Sequence, residues 1–286
     1  MPDIKIGQYD LFQVIKVDVA HYLIKNKHAT LELKKEEATK ELTVGESIDV
    51  FLYIDHSKGI AATMKTPKID IFNADWVEVV EKKEGLGAFV DIGLNKDMLV
   101  SKDDLPHLKK AWPAIGGKLF CYLKVSRNQM VARPVSRFRM REFIKPEEPL
   151  TVGENYDAFV FSLADEGVVL FTPMGHEVFV YYKHLRKDYQ LGASVDVKIT
   201  VEKDPLHYNG TLIEQKELML EEDAQRIYDY LKSQGSMPFT DKSDPTAIFN
   251  TFHMSKSAFK RALGRLYKEE LVTLEEDRTV LKEKPL

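Results

Sequence analysis

The chain has 286 residues, too many for one small core and enough for several. Hydrophobic residues make up 44% and charged residues 30%, a globular balance that excludes wholesale disorder. The net charge of −4 excludes a uniformly basic coat, so any contact with nucleic acid must come from local basic patches. A single cysteine, Cys121, rules out an internal disulfide framework and fits a reducing compartment. The first five residues start no apolar run, so no secretory signal is expected. No stretch is long and apolar enough to span a membrane, and a soluble, cytoplasmic protein is expected.

Self-similarity organises the first three quarters. Residues 44–55, 115–126 and 191–202 align without gaps. Each segment opens with an aliphatic residue and a glycine at a turn, then places apolar residues at every second position. In the third these are Val195, Val197, Ile199 and Val201, the period of a half-buried strand. Gly45, Gly116 and Gly192 lie 71 and 76 residues apart, the length of a small β-barrel.

Further strands fall into the same frame. In the middle unit they are residues 76–80, 85–93 and 98–100; in the last, 156–161, 167–172 and 177–182. Many short strands with glycine turns predict a small barrel or sandwich rather than a βαβ fold. Cys121 aligns with Val50 and Val197 and is therefore a core residue.

After Leu218 the period lengthens to 3.6. Ala224, Ile227, Tyr228 and Leu231 fall on one side of a helix over 221–233, with Gly235 placed to end it. Asp244-Pro245 reads as N-cap and first residue of a second helix, with Ile248, Phe249 and Phe252 on its apolar side. Ser255 caps a third. Its apolar residues are Phe259, Ala262, Leu263 and Leu266; its basic ones are Lys256, Lys260, Arg261, Arg265 and Lys268, with no acid between 255 and 268. Two short strands, 271–274 and 279–281, close the chain as a hairpin.

Gly87-Ala88-Phe89-Val90-Asp91-Ile92-Gly93 and Met98-Leu99-Val100-Ser101 resemble the corresponding segments of S1 domains. The resemblance implies five-stranded OB-fold barrels that bind single-stranded RNA. Three helices and a hairpin resemble a winged helix, in which the third helix usually contacts nucleic acid. Three S1-like units followed by this domain, with Phe252-His253-Met254-Ser255-Lys256-Ser257-Ala258-Phe259-Lys260-Arg261-Ala262, resemble the bacterial conserved virulence factor B family. The expected fold is multidomain and mainly β: three tandem OB barrels at 1–65, 66–145 and 146–216, then an α+β winged helix at 217–286. The family implies RNA binding and an influence on gene expression.

Candidate contacts follow from what a single strand needs, aromatic faces for bases and cations for phosphates. Phe89 lies opposite the inward Ala88, Val90 and Ile92; it either stacks on a base or packs on a neighbouring domain or loop. Phe179 and Tyr181 share one face of their strand, with Val178, Val180 and Tyr182 on the other. That face is either a stacking surface or an interdomain one. Tyr181 matches a position where S1 domains often carry a base-contacting His, and Ser101 stands there in the middle unit. Residues 133–146 carry Arg137, Arg139 and Arg141 alternating with Phe138 and Met140. An extended backbone would align the arginines as a phosphate-tracking strip; otherwise the segment is a linker with its aromatics packed on a barrel. The basic side of the third helix is the remaining patch. About five neutralised phosphates would give a salt slope of roughly −3 to −4 on single strands.

Catalysis finds no support. Gly85-Leu86-Gly87 precedes a strand, not the helix a dinucleotide motif needs, and His176 and His184 have no metal-ligand partners in spacing. No cofactor is expected. The expected partner is single-stranded RNA, with duplex nucleic acid a second option through the winged helix. A DNA-binding regulator and an OB-fold protein scaffold are the other readings the sequence allows.

Overall fold

The computed structural model describes residues 4–282 except 127, 128, 186, 205, 214 and 215, with 216–221 described by their backbone alone. The N-terminal reading on residues 1–3 lies outside the described residues.

The first sheet comprises β1 (Tyr9–Val17), β2 (His21–Lys25), β3 (Thr30–Lys34), β4 (Ser47–Ile54) and β5 (Ile60–Thr63), in the order β3-β2-β1-β4-β5. The second comprises β6 (Asp75–Lys83), β7 (Gly87–Asp91), β8 (Met98–Ser101), β9 (Lys118–Ser126) and β10 (Gln129–Pro134), in the order β10-β9-β6-β7-β8. The outer strands β3 and β5, and likewise β8 and β10, lie side by side. A short helix α1 (Met140–Phe143) then leads to β11 (Asn155–Ala164), β12 (Gly167–Phe171), β13 (Glu177–Tyr181), β14 (Ser194–Asp204) and β15 (His207–Thr211). These form a closed barrel ordered β11-β12-β13-β15-β14, with β13 and β15 parallel.

The repeat is structural. Gly45, Gly116 and Gly192 take φ of 92°, 84° and 73°, the left-handed conformation that glycine adopts without steric cost. Their N–H groups donate to Val14, Val79 and Val160 at 2.8, 2.8 and 2.7 Å, and the N–H groups of those valines donate to the residue after each glycine. The first long strand of each unit shifts register just past its valine. A bulge there adds twist and curls a five-stranded sheet towards closure. Val50, Cys121 and Val197 are all fully buried, and burial raises the pKa of the Cys121 thiol, which keeps it protonated. Val201 departs from its expected inward position. A further shift after Ile199 turns it outward, and it is exposed.

Adjacent barrels share packing. Phe51 and Tyr53 on the outer side of β4 join the core of the second barrel, which is why residues 50–54 are apolar on both faces. Phe120 of β9, Val169 and Phe171 of β12, and Val135 and Met140 of the connecting segment bury one another between the second and third barrels.

The last unit has its own core. Helix α2 (Lys216–Gln234) is followed by β16 (Ser236–Met237), α3 (Pro245–Phe252), α4 (Lys256–Lys268), β17 (Val272–Leu274) and β18 (Thr279–Leu281), with sheet order β16-β18-β17. Gly235 ends α2 at φ +74°. The Asp244 carboxylate accepts from the N–H groups of Thr246 and Ala247, and the Ser255 hydroxyl from that of Ala258, both as the capping pattern predicts. Phe259, Ala262, Leu263 and Leu266 are buried against Ile227, Leu231, Ile248 and Phe252. Phe249 does not complete the expected apolar side; it is half-buried, its ring near His253. Among the described residues no helix is long and apolar enough to cross a membrane.

Candidate functional site

The outer faces of β7 and β13 carry the predicted aromatics. On β7, Ala88 and Val90 point into the core, and Phe89 stands on the other side, half-buried between Glu81 and Leu99. The Lys83 ammonium lies 5.1 Å from its ring centroid. On β13, Phe179 and Tyr181 meet edge to face at 4.8 Å. Lys183 and Lys203 lie 5.6 and 5.8 Å from the Tyr181 ring, and Lys203 also donates to its hydroxyl at 3.4 Å. The ladders set Ser101 opposite Gly87 and Tyr181 opposite Gly167, so the two occupy one position in successive barrels. Phe179 leans on the interdomain cluster, so its face is shared between interface and solvent. Tyr182 leaves the expected inward side: the strand ends at Tyr181, and Tyr182 is exposed with its hydroxyl donating to the Ala164 carbonyl.

The extended arginine strip does not form. Residues 137–139 make a 3-10 turn that runs into α1. Met140 is fully buried and Phe143 packs beside Phe120 and Tyr122, because barrel surface is available to cover them. The turn sends the arginines apart. Arg137 makes a two-point ion pair with Glu177 of β13, Nε donating at 3.0 Å. The Arg139 guanidinium covers the Tyr122 and Phe143 rings at 5.3 and 5.4 Å, and its Nε donates to Glu142 at 2.8 Å. Arg141 is exposed, as is Phe138 at 93%. Glu177 has little solvent of its own, so Arg137→Ala is expected to lower unfolding free energy by about 1 kcal/mol, the pair being half exposed on the arginine side. Urea denaturation of the full chain measures it, and an unchanged midpoint would show that the ion pair does not pin the segment.

On α4 the basic residues are not equivalent. Lys256 donates to the Lys242 carbonyl at 3.2 Å, Lys260 lies 3.4 Å from Asp241, and Arg265 donates to Glu269 at 2.9 Å. Acids just outside the 255–268 window thus compensate part of the patch. Arg261 and Lys268 are exposed and have no carboxylate in ion-pair range among the described residues. The turn between β17 and β18 holds Glu275, Glu276 and Asp277, with Arg278 turned back onto Glu275 at 2.6 Å. A wing tip of three acids repels a phosphate backbone.

One concave feature was not anticipated. A groove of about 780 Å³ runs between the second and third barrels, walled by Trp76, Tyr122, Arg133, Arg139, Phe161 and Ser162. The signal for it was present, since Trp76 falls out of phase with the inward Val77 and Val79; what it would face was not. Lys83, Lys183 and Lys203 were also missed, because their contact with an aromatic ring depends on strand register. Among the described residues no cluster of three His, Cys, Asp or Glu side chains could hold a metal ion. His176 instead bonds Thr172 at 3.0 Å and the Glu148 carbonyl at 2.6 Å.

Comparison with known proteins adds three family matches: an S1 domain over residues 6–65, the CvfB first S1-like domain over 74–132, and the CvfB-like winged helix domain over 225–281. Conserved virulence factor B of Staphylococcus saprophyticus is 31% identical over 285 residues, 98% of this chain and 95% of its own length. The Staphylococcus aureus (strain N315) protein of the same name is 32% identical over the same shares. The uncharacterized protein YitL of Bacillus subtilis is 35% identical over 86% of this chain and 84% of its own. A crystal structure of a multidomain protein with nucleic acid binding domains from Streptococcus pneumoniae superposes with a TM-score of 0.67 at 29% identity, covering 97% of this chain and 98% of that one.

Proposed function

Since the chain belongs to the conserved virulence factor B family, we propose that it is a non-enzymatic, cytoplasmic RNA-binding protein that regulates gene expression after transcription. Its working units are residues 1–65, 66–145, 146–216 and 217–286, tethered so that weak contacts add through effective concentration. Single-stranded RNA lies over Phe89, Phe179 and Tyr181, is held by Arg139 and Arg141, and crosses α4 at Lys256, Lys260, Arg261, Arg265 and Lys268. Arg137 serves the assembly by its ion pair with Glu177.

The observation that carries this reading is an aromatic beside lysines on the outer face of each of two successive barrels, on β7 in the second and on β13 in the third. An aromatic stands on the outer sheet face with lysine ammonium groups beside its ring, at Phe89 with Lys83 and at Tyr181 with Lys183 and Lys203. A flat apolar face beside mobile cations suits a base and its phosphate, and each stacked base contributes about 1–3 kcal/mol. Both rings are half-buried, so neither is needed to complete a core. The three acids on the wing favour single strands over duplex, whose second backbone the wing would have to approach.

Fluorescence anisotropy of the full chain with an unstructured RNA is the test. Phe89→Ala and Tyr181→Ala are each expected to weaken binding about fivefold or more. Tighter binding to duplex DNA of equal length would replace this reading with that of a DNA-binding regulator, and salt-insensitive or absent RNA binding would remove it.

A further inference from the structure

The groove between the second and third barrels has features that neither the barrels' outer faces nor α4 offer. Its volume of about 780 Å³ lies within the span of small-molecule sites, which form preferentially at domain interfaces. Its walls are fixed from both sides. The Lys118 N–H donates to the Gly192 carbonyl at 2.8 Å and the Leu191 N–H to the Ala111 carbonyl at 3.1 Å, so backbone bonds join the barrels at its margin.

The chemistry of the lining is mixed in a particular way. Trp76, Tyr122 and Phe161 supply flat apolar surface, and all three are half-buried. Four cations line it against one acid, Asp104. Two are occupied: Arg137 by Glu177, and Lys118 by Glu78 at 2.9 Å. The other two are held but not saturated. Arg133 approaches Asp104 through Nε at 3.7 Å, too far for a hydrogen bond, and Arg139 meets Glu142 through Nε alone. A guanidinium has five N–H donors, so both keep donors for a further anion. Arg139 is further fixed by its two aromatic neighbours, which orients its fork in advance. The Ser136 and Ser162 hydroxyls also line the space and have no hydrogen-bond partner among the described residues.

We infer that this groove binds a nucleotide unit, its base against the Trp76, Tyr122 and Phe161 wall and its phosphate between Arg133 and Arg139. The ligand is either one unit of a bound strand or a free mononucleotide. The strand form rests on the RNA-binding reading; the free form does not.

Two variants of the full chain probe opposite walls. Arg133→Ala/Arg139→Ala removes the anion donors, and Ser162→Trp fills the space without altering charge. Phe72→Ala, an aromatic 68% exposed and outside the groove, is the control. Titrations use labelled twelve-residue oligouridylate by anisotropy and free AMP and UMP by calorimetry. If a strand unit occupies the groove, oligouridylate affinity falls at least about tenfold in both variants and is unchanged in the control. If a free nucleotide does, AMP or UMP binds the parent, both variants lose it, and oligouridylate affinity holds in Ser162→Trp, which leaves Arg139 in place. A parent that binds RNA while Ser162→Trp matches it for every ligand overturns this inference and leaves the RNA-binding reading, with Arg139 on the open face, standing. A parent that binds mononucleotide but no RNA does the reverse, and one that binds neither removes both. Arg133 and Arg139 are both substantially exposed, so the double variant keeps its fold should the tryptophan substitution disturb the third barrel.

Discussion

Reversing Lys260, Arg261 and Lys268 to glutamate is expected to weaken RNA binding by the full chain about a hundredfold at low salt and to make the salt slope shallower by about 2. The slope follows from counterion release at about 0.7 per phosphate on a single strand, taken over three contacts. These three are the right ones to reverse, because the helix is anchored by its other side. Phe259, Ala262, Leu263 and Leu266 remain buried, so the domain keeps its core while its outer charge inverts. Arg261 and Lys268 meet no carboxylate in ion-pair range among the described residues, and Lys260 touches Asp241 only across 3.4 Å of exposed surface. Reversing Lys256 or Arg265 instead disturbs contacts each already makes, with the Lys242 carbonyl and with Glu269. A loss of affinity without any change of slope would mean that α4 contributes shape rather than charge. No loss at all would confine binding to the barrels.

The fold was legible because its determinants are local. A glycine with positive φ and a strand of period two after it recur in each unit, and both can be read within a dozen residues; the bulged valine each glycine meets lies more than thirty positions earlier and is seen only in the fold. The helix caps at Asp244 and Ser255 are local in the same sense. Candidate contacts were legible in type and not in pairing. The alternation Arg137-Phe138-Arg139-Met140-Arg141 fits an extended strip, yet Met140 and Phe143 are also spaced to share one side of a helical turn. What decides between them is Glu177, forty positions along the chain, and an apolar hollow that exists only once two barrels have docked. The same distance effect trims the α4 patch, since Asp241 reaches Lys260 from before α3. The groove was the least legible feature of all. It belongs to no barrel, and the out-of-phase Trp76, like the doubly apolar β13, pointed only towards a second buried surface.

Gly167→Ala is expected to cost about 3 kcal/mol or more of stability and to remove RNA contact at Tyr181 with it. A Cβ at Gly167 would lie 2.1 Å from the Val180 carbonyl oxygen, and one at Gly87 would lie 2.0 Å from that of Val100. Both obstacles are backbone, so no side chain can swing aside; the third strand of the barrel would have to move. That strand holds Tyr181 directly opposite Gly167, as the equivalent strand holds Ser101 opposite Gly87. The glycine therefore sets how closely β13 crosses β12, and through it where the aromatic stands. Gly45 provides the contrast. It needs a positive φ, but a Cβ there would meet nothing within 4 Å, so Gly45→Ala should cost only the conformational strain of about 1–2 kcal/mol. The first barrel shows the same logic from the other side. It places His21 opposite Lys34 at the corresponding crossing, has no glycine there, and presents no aromatic to a base at that point. Guanidinium denaturation of the two variants, paired with RNA anisotropy, separates the effects. Equal costs at Gly167 and Gly45 would show that close strand crossing does not position Tyr181. A large cost at Gly167, with RNA affinity lost below the denaturation midpoint, would tie the closure of the third barrel to its grip on RNA.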